Sequence, residues 1–221
     1  MSRPKLVVIA KAPVAGRAKT RLCPPLSPAE AADLAAASLH DTLEAVASVP
    51  GTRHLLALDG PPGPWLPAGF NGGIARQCDG GLGDRLAGAF ASAGGPALVV
   101  GSDTPQLTPA ILDRALAALE SPGVDAVLGP AADGGYWTLG LRRPDPRVFD
   151  GVPMSSPETG SVQLSRLLEL GMRVARLEQL RDVDTIDDAR AVAREFPGTR
   201  FASMFAALGI AHPYEVAASA R

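Results

Sequence analysis

The sequence predicts an α/β fold in which helices cover both faces of a mostly parallel sheet. Short apolar segments alternate with longer segments that repeat apolar residues at helical spacing, which is the pattern of such folds. The chain has 221 residues, of which 46% are hydrophobic and 20% are charged, and no linker, repeat or low-complexity tract divides it. This length supports one domain with a substantial core. We therefore expect a single domain over residues 1–221, with a peripheral tail after about residue 198.

Seven apolar segments predict the strands of the sheet. Ala97–Gly101 has the strongest strand pattern, and Lys5–Ala10 is an apolar, β-branched segment suited to a buried parallel strand. The other predicted strands are Arg53–Leu58, Ile74–Gln77, Val124–Leu128, Tyr136–Leu141 and Arg173–Leu177.

The predicted helices are marked by their spacing and by residues that can cap their first turns. Ser27 precedes Pro28–Ser48 and is followed three residues later by Glu30, the spacing of a capping box. Thr108 precedes Pro109–Glu120, with a proline in the first turn. The remaining predicted helices are Leu82–Ala93, Thr159–Leu170, Ile186–Glu195 and a short helix within Gly198–Arg221.

Charge and composition exclude several classes of function. The formal net charge of −2 gives no global reason to bind nucleic acid or an anionic membrane. Two cysteines and three histidines are too scattered for a zinc site. The beginning of the chain lacks a signal-peptide pattern, and no apolar stretch is long enough to span a bilayer. We expect a cytoplasmic protein without nucleic-acid or membrane partners, and the sequence indicates no oligomeric state.

The most informative segment is Ala10–Leu22, a loop between the first strand and the first helix. Loops at the carboxyl ends of strands are where α/β sheets bind ligands. A polyphosphate would neutralise a cluster of cations here, with arginine as a bidentate fork and lysine as a point charge; a solvated basic loop is the alternative. The cations of this loop are Lys11, Arg17, Lys19 and Arg21, with no acidic residue among them.

Asp103 follows the strongest predicted strand, within Gly-Ser-Asp-Thr-Pro. A carboxylate at that edge can hold Mg²⁺ or Mn²⁺, which prefer oxygen ligands and bridge to phosphate oxygens. The adjacent Ser102 belongs to the same predicted nucleotide site. The alternative is that Asp103 is a turn or cap residue, with Pro105 ending the strand.

A second acidic segment, Arg181–Asp188, connects the last predicted strand to a helix. Asp182 and Asp184 are two residues apart, so extended backbone would direct both to the same side, where one of them can join the first carboxylate on a metal. Alternatively, Asp184 or Thr185 is an N-cap. The two acidic residues after Thr185 are expected to complement the helix dipole.

The glycine-dense segment Cys78–Leu86 leads into a predicted helix. Glycines let backbone amides approach a ligand, and a helix N-terminus favours anions, which makes Gly83 and Asp84 candidates for nucleotide contacts. The spacing matches neither the phosphate loop of ATPases nor the dinucleotide fingerprint. A plain tight turn is an equal alternative.

A second glycine-rich segment, Gly129–Trp137, joins two predicted strands. Asp-Gly-Gly is typical of a hairpin-like turn, but the same residues can close over an acceptor substrate. Thr159 opens another predicted helix and can contact an anionic acceptor, although capping is the simpler interpretation. The candidate acceptor residues are Asp133, Gly134, Gly135, Tyr136 and Thr159.

Four ordered motifs together resemble a known family. They are the basic first segment with Leu26–Glu30, Gly-Ser-Asp-Thr-Pro, Gly-Pro-Ala-x-Asp-Gly-Gly-Tyr and Asp-Val-Asp-Thr. The chain resembles 2-phospholactate guanylyltransferase-like proteins and, most of all, the bacterial DUF2064 family, from about Lys5 to Ala193. This resemblance implies a three-layer α/β/α GT-A (nucleotide-diphospho-sugar transferase) fold with a twisted sheet, a divalent metal such as Mg²⁺ and a nucleotide donor.

The resemblance also implies roles for individual residues. Asp103 would be the first metal ligand and Asp184 the second, while the four cations of the first loop would neutralise a triphosphate, with Lys19 and Arg21 stabilising the developing charge. The favoured hypothesis is transfer of a nucleoside monophosphate from an NTP to a small phosphorylated or carboxylated acceptor, with release of pyrophosphate. The alternatives are a glycosyltransferase that uses a nucleotide sugar, with Asp133 as acceptor base, and a binding protein without turnover.

Overall fold

The centre of the computed structural model, which describes residues 3–210, is a single sheet. All seven predicted strands are present, within a few residues of their predicted ends. The strands are β1 (Lys5–Lys11), β2 (His54–Asp59), β3 (Gly73–Arg76), β4 (Ala97–Val100), β5 (Ala126–Pro130), β6 (Tyr136–Leu141) and β7 (Val174–Arg176).

The strand order is β3-β2-β1-β4-β6-β5-β7, and every pair is parallel except those of β6 with β4 and β5. The connection between β5 and β6 is therefore hairpin-like, as Asp-Gly-Gly predicts. From β1 the chain builds outward to β2 and β3, and then returns to place β4 on the other side of β1. The adjacent carboxyl ends of β1 and β4 thus form a topological switch point, where open α/β sheets bind ligands.

The helices also follow the predicted pattern, and the predicted caps are present. Ser27 and Glu30 form a capping box, and the Thr108 hydroxyl accepts a hydrogen bond from the Ile111 amide at 3.3 Å. The helices are α1 (Pro28–Ala47), α2 (Leu82–Ala93), α3 (Pro109–Glu120), α4 (Thr159–Glu169), α5 (Ile186–Glu195) and α6 (Arg200–Ala207), with short 3₁₀ turns at Thr20–Leu22 and Pro146–Phe149.

Two buried clusters lie on opposite faces of the sheet. Successive strand residues point to opposite faces, so Val8 packs in the cluster that contains Leu39 of α1, while Val7 packs in the cluster that contains Phe90 of α2. Leu112 of α3 joins the first cluster, and α4 contributes to the second. The three-layer α/β/α architecture expected from the sequence is therefore confirmed.

Helix α6 lies closer to the core than the expected peripheral tail. Phe201 is 1% exposed and packs in a third cluster with Leu34 of α1 and Val192 of α5. The Asp41 carboxylate accepts hydrogen bonds from the Arg200 and Phe201 amides at 3.1 and 2.8 Å, which satisfies two free donors at the start of α6. The predicted end of the tail, residues 211–221, is outside the described residues. None of the described helices has the length and apolar character needed to cross a membrane.

Candidate active site

A cleft of about 750 Å³ lies over the carboxyl ends of β1 and β4. Its walls come from the loop after β1, the beginning of α2, the end of β4, the β5–β6 connection, residues 154–159 and the segment between β7 and α5. These are the segments that the sequence singled out, except for residues 154–157. The fold therefore gathers distant motifs at its switch point.

Lys19 lies at the centre of the charged part of this cleft. Its ammonium group is 2.8 Å from Asp103 Oδ1 and 3.6 Å from Asp184 Oδ1, and it donates a hydrogen bond to the Val183 carbonyl. The side chain is 10% exposed. Its backbone has a φ of 49°, in the left-handed region that non-glycine residues rarely adopt. Such strain persists only where surrounding contacts hold it, and it concentrates at functional sites.

The other three cations of the first loop are more exposed. Arg21 is 71% exposed, and its Nη1 is 3.1 Å from Asp184 Oδ2. Lys11 and Arg17 also line the cleft, and they form no ion pair with any residue between positions 3 and 210. Among the described residues, the loop thus has two cations paired with carboxylates and two without an ion pair.

The segment after β7 crosses the carboxyl edge of the sheet from β5 towards the first loop. The Ala132 amide donates to the Leu180 carbonyl at 2.9 Å, and the Val183 amide donates to the Asp103 carbonyl at 2.9 Å. The flanking carboxyl groups consequently face different neighbours. Asp184 meets the first loop, whereas Asp182 accepts a hydrogen bond from the hydroxyl of Thr104 at 3.0 Å.

Asp182 also lines the cleft, and the sequence could not distinguish its role from that of Asp184. Burial raises the pKa of Asp182 to about 7, and the negative charges of Asp103 and Asp133 add to the rise, while the hydrogen bond from Thr104 and the charge of Lys19 oppose it. Asp182 is therefore close to both Asp103 and Asp133. The cleft contains more carboxyl groups than its central cation neutralises.

The donor set around Lys19 fits a divalent cation. Asp103 and Asp184 already share one positive group, so their oxygens can converge on a small ion, and carboxylate oxygens are the ligands that Mg²⁺ and Mn²⁺ prefer. No three His, Cys, Asp or Glu side chains form a metal centre by themselves in the described part of the chain. Mg²⁺ is commonly held by one or two carboxylates plus substrate phosphates, so this pair suits an ion that arrives with a polyphosphate.

The glycine-dense loop before α2 contributes less to the cleft than expected. Gly83 and Asp84 do not line it. Asp84 instead caps α2, because its Oδ2 accepts the Gly81 amide at 2.9 Å. Ser102 does line the cleft, and its carbonyl accepts a hydrogen bond from the Ser38 hydroxyl at 2.7 Å. The beginning of α2 is therefore capped by Asp84, at a position where the sequence also allowed a ligand contact.

Arg85 lines the cleft together with Leu82 and Leu86 of the same helix, and sequence reasoning missed this cation. Its Nη1 is 2.9 Å from Asp59 Oδ2 at the end of β2, and its Nε donates to the Gly80 carbonyl at 3.2 Å. Nearby, the Gln77 side-chain amide donates to the Ala10 and Ala57 carbonyls at 2.8 and 2.9 Å, which ties β3 to the ends of β1 and β2. A cation just after a glycine-rich loop was the available signal for Arg85.

The β5–β6 connection is closely packed against the beginning of α4. Gly134 has a φ of 91°, and a Cβ at this position would collide with the Pro157 carbonyl oxygen. The Gly160 amide donates to the Gly134 carbonyl at 2.8 Å. Asp133 and Gly135 line the cleft, while Gly134 holds the connection in place behind them. Glycine is required at position 134 by both conformation and space.

Two further acceptor candidates line the cleft with their polar groups already engaged. The Thr159 hydroxyl donates to the Pro153 carbonyl at 2.6 Å and accepts the Ser156 amide at 3.0 Å, which closes the turn before α4. The Tyr136 hydroxyl donates to Gln163 Oε1 at 3.3 Å, and burial raises the pKa of Tyr136. Thr159 thus stabilises a turn, in line with the capping interpretation.

Comparison with protein families identifies the chain. The model of DUF2064, described as an uncharacterized protein conserved in bacteria, matches residues 35–156. The chain belongs to the DUF2064 family. The matched range contains Asp103 and the β5–β6 connection, whereas Lys19 and Asp184 lie outside it and join them only in the folded chain. No curated protein matches the sequence.

Solved structures confirm the fold of this DUF2064 member. A protein from Desulfovibrio desulfuricans G20, provisionally named a nucleotide-diphospho-sugar transferase, is 26% identical, with 94% of each chain covered and a TM-score of 0.82. CMP:2-keto-3-deoxy-manno-octonic acid synthetase in complex with CTP is 17% identical over 88% of this chain and 99% of the other, with a TM-score of 0.55. A cytidylyltransferase from Leptospira borgpetersenii is 11% identical over 95% and 94%, with a TM-score of 0.55. The chain has the nucleotide-diphospho-sugar transferase fold.

Proposed function

We propose that this DUF2064 protein is a metal-dependent nucleotidyltransferase that moves a nucleoside monophosphate from an NTP to a small-molecule acceptor. One observation carries the proposal: Lys19, Asp103 and Asp184 converge at the switch point of the sheet. Lys11 and Arg17, which form no ion pair with another described residue, line the same cleft. Two carboxylates for a metal and free cations for phosphates are the groups that phosphoryl transfer requires.

The chemistry needs positioning and charge neutralisation rather than a covalent intermediate. An acceptor oxygen attacks the α-phosphorus, the bond to the bridging α–β oxygen breaks, and pyrophosphate leaves with the bonding electrons. Lys19 and Arg21 stabilise the negative charge that develops on the phosphates, while Lys11 and Arg17 orient the triphosphate. A Mg²⁺ ion held by Asp103 and Asp184 would supply Lewis-acid neutralisation of the phosphate oxygens.

A glycosyltransferase that uses a nucleotide sugar is the second candidate. The provisional name of the Desulfovibrio desulfuricans protein, 26% identical over nearly the whole chain, favours it. Both reactions use the same fold and a metal-bound nucleotide. The density of cations in the loop after β1 favours the triphosphate, since a diphosphate leaving group that is neutralised by a metal needs fewer of them.

Thermal-shift measurements with NTPs and nucleotide sugars, each with and without Mg²⁺, distinguish the two candidates. A ligand that binds only the native state raises the apparent stability by mass action. We expect an NTP to raise the melting temperature only when Mg²⁺ is present, with no comparable shift from nucleotide sugars, and the effective NTP to support pyrophosphate release. A metal-dependent shift from nucleotide sugars alone would instead establish the glycosyltransferase.

A further inference from the structure

The described cations of the cleft are gathered at one of its ends. Its cations belong to the loop after β1 and to Arg85 of α2, which lie on the β1 side of Asp103. The other end is formed by the β5–β6 connection and by residues 154–159. Among the described residues that line this end there is no lysine, arginine or histidine, whereas Asp133 lies there with an exposed carboxylate. We call this the acceptor end.

Backbone amides at the acceptor end are already used within the protein. The Gly134 amide donates to the Ala131 carbonyl at 3.3 Å, and the Gly135 amide donates to Asp133 Oδ1 at 2.9 Å. The Gly160 amide, at the beginning of α4, donates to the Gly134 carbonyl at 2.8 Å. Successive free amides are what form an anion-binding nest, so these glycines do not offer one.

The hydroxyl groups around α4 are only partly engaged. Thr159 donates its hydroxyl proton to the Pro153 carbonyl, whereas the Ser156 hydroxyl accepts the Glu158 amide at 3.2 Å and keeps its own proton to donate. A phosphate or carboxylate at this end would therefore meet neutral hydroxyl donors and the negative charge of Asp133, with no described cation beside it. Such an anion would lose its hydration without a positive charge to compensate.

We infer that the acceptor is a small hydroxyl-bearing molecule without an anionic group near its reactive oxygen, such as a polyol or an amino alcohol. This rests on the nucleotidyl transfer proposed above, and it replaces the phosphorylated or carboxylated acceptor that the sequence suggested. The Asp133 carboxylate accepts hydrogen bonds from hydroxyl or ammonium groups. In the reaction the acceptor hydroxyl oxygen bonds to the α-phosphorus, pyrophosphate leaves with the electrons of the α–β bond, and the hydroxyl proton passes to solvent water.

The test uses the protein saturated with Mg²⁺ and an NTP analogue whose α–β bridge is a methylene group, so that the cationic end is filled. Inorganic phosphate is then titrated by calorimetry. Ser155, exposed and at the acceptor end, is changed to lysine to supply the missing cation; Ser165→Lys, on the exposed side of α4 away from the cleft, is the matched control. We expect saturable phosphate binding by Ser155→Lys, and none by wild type or Ser165→Lys.

Saturable binding of phosphate by the nucleotide-filled wild type would overturn the inference, and so would the absence of binding by Ser155→Lys. Two pairs of acceptors add a second readout: glycerol with glycerol 3-phosphate, and ethanolamine with phosphoethanolamine. In any pair that supports pyrophosphate release, we expect the unphosphorylated acceptor to react about tenfold faster, which corresponds to 1.4 kcal/mol. A faster phosphorylated member contradicts it. Failure of every NTP to bind would instead contradict the proposed function itself.

Discussion

Lys19 connects backbone conformation to the chemistry of the cleft. Its left-handed φ accompanies a side chain whose ammonium group lies between the carboxylates of Asp103 and Asp184 and pairs with both. The sequence indicated these three residues separately, through a basic loop, a strand end and a helix start. It could not indicate that one lysine would join the other two, because that contact depends on how residues 180–184 cross the sheet.

Asp103→Asn tests the metal assignment at a single residue. We expect the variant to lose the Mg²⁺-dependent thermal shift produced by NTP, because the neutral amide is a poor ligand for a hard cation. Its stability without ligand should fall by no more than about 1 kcal/mol, since the Asp103 carboxylate that pairs with Lys19 is half exposed.

Asp113→Asn is the matched control for this change. Asp113 is 54% exposed and is paired with Arg3 at 2.5 Å, whereas Asp103 is 48% exposed and is paired with Lys19 at 2.8 Å. Each substitution therefore removes a half-exposed carboxylate from a cation. Only the control should respond to Mg²⁺ and NTP as the wild type does. Equal responses from both variants would show that Asp103 holds no metal.

Gly134→Ala tests the packing of the β5–β6 connection on α4. The added methyl group would meet the Pro157 carbonyl at a backbone φ of 91°, so strain and collision act together. We expect the free energy of unfolding in urea to fall by about 3 kcal/mol.

Gly171→Ala isolates the conformational part of that cost. Gly171 has a φ of 73°, but a Cβ there would meet no atom within 4 Å. We expect a loss of about 1 kcal/mol, from the left-handed conformation alone. Equal losses for the two alanine variants would mean that the connection is not tightly packed.

Individual elements could be predicted well where local signals were strong. The capping box at α1 and the cap of α3 were readable because their hydrogen bonds join residues three apart. At α5 the sequence left Asp184 and Thr185 as candidate caps, and Thr185 is the one that caps the helix. The local signal was ambiguous at α2, where the glycine-dense segment allowed either nucleotide contacts or a plain turn, and where Asp84 caps its own helix. Residues 154–157 gave no sequence signal, because their role comes from packing against the β5–β6 connection.

The edge of the sheet at β5 and β7 gives a prediction about acid stability. Asp125 Oδ2 accepts hydrogen bonds from the side chain and the amide of Arg173, each at 3.0 Å, and these bonds lower the pKa of Asp125. A carboxyl group whose pKa is lower in the folded state stabilises the protein above its unfolded-state pKa, and that contribution disappears as the pH falls through the folded-state value. This pair therefore contributes at neutral pH and is lost in acid.

Asp125→Asn should remove part of that acid sensitivity. We expect the wild type to be more stable than the variant at neutral pH, and the difference to shrink as the pH is lowered from about 5 to about 2. Urea denaturation midpoints across this range provide the measurement. A difference between the two proteins that stays constant with pH would be at odds with the pKa shift of Asp125.

At the scale of the whole molecule, strand order decides which motifs meet. Alternation of strands and helices predicted the layers, and the four motifs predicted the carboxyl edge, but neither predicted that β4 lies beside β1 with β6 antiparallel beyond it. That order separates the end of the cleft that carries the cations from the acceptor end. The charge of the acceptor end was therefore invisible in the sequence, where Thr159 at the start of a predicted helix suggested an anionic acceptor.

In the proposed function, Asp103 and Asp184, far apart in sequence, hold one metal ion together with the nucleotide. The most direct measurement is the affinity of the NTP, with saturating Mg²⁺, for the wild type, Asp103→Asn, Asp184→Asn and the double variant. If one ion is shared, each single substitution weakens binding by about tenfold or more, and the double variant binds little worse than the weaker single variant. Losses that add independently, or an unchanged affinity in either single variant, would contradict a shared metal.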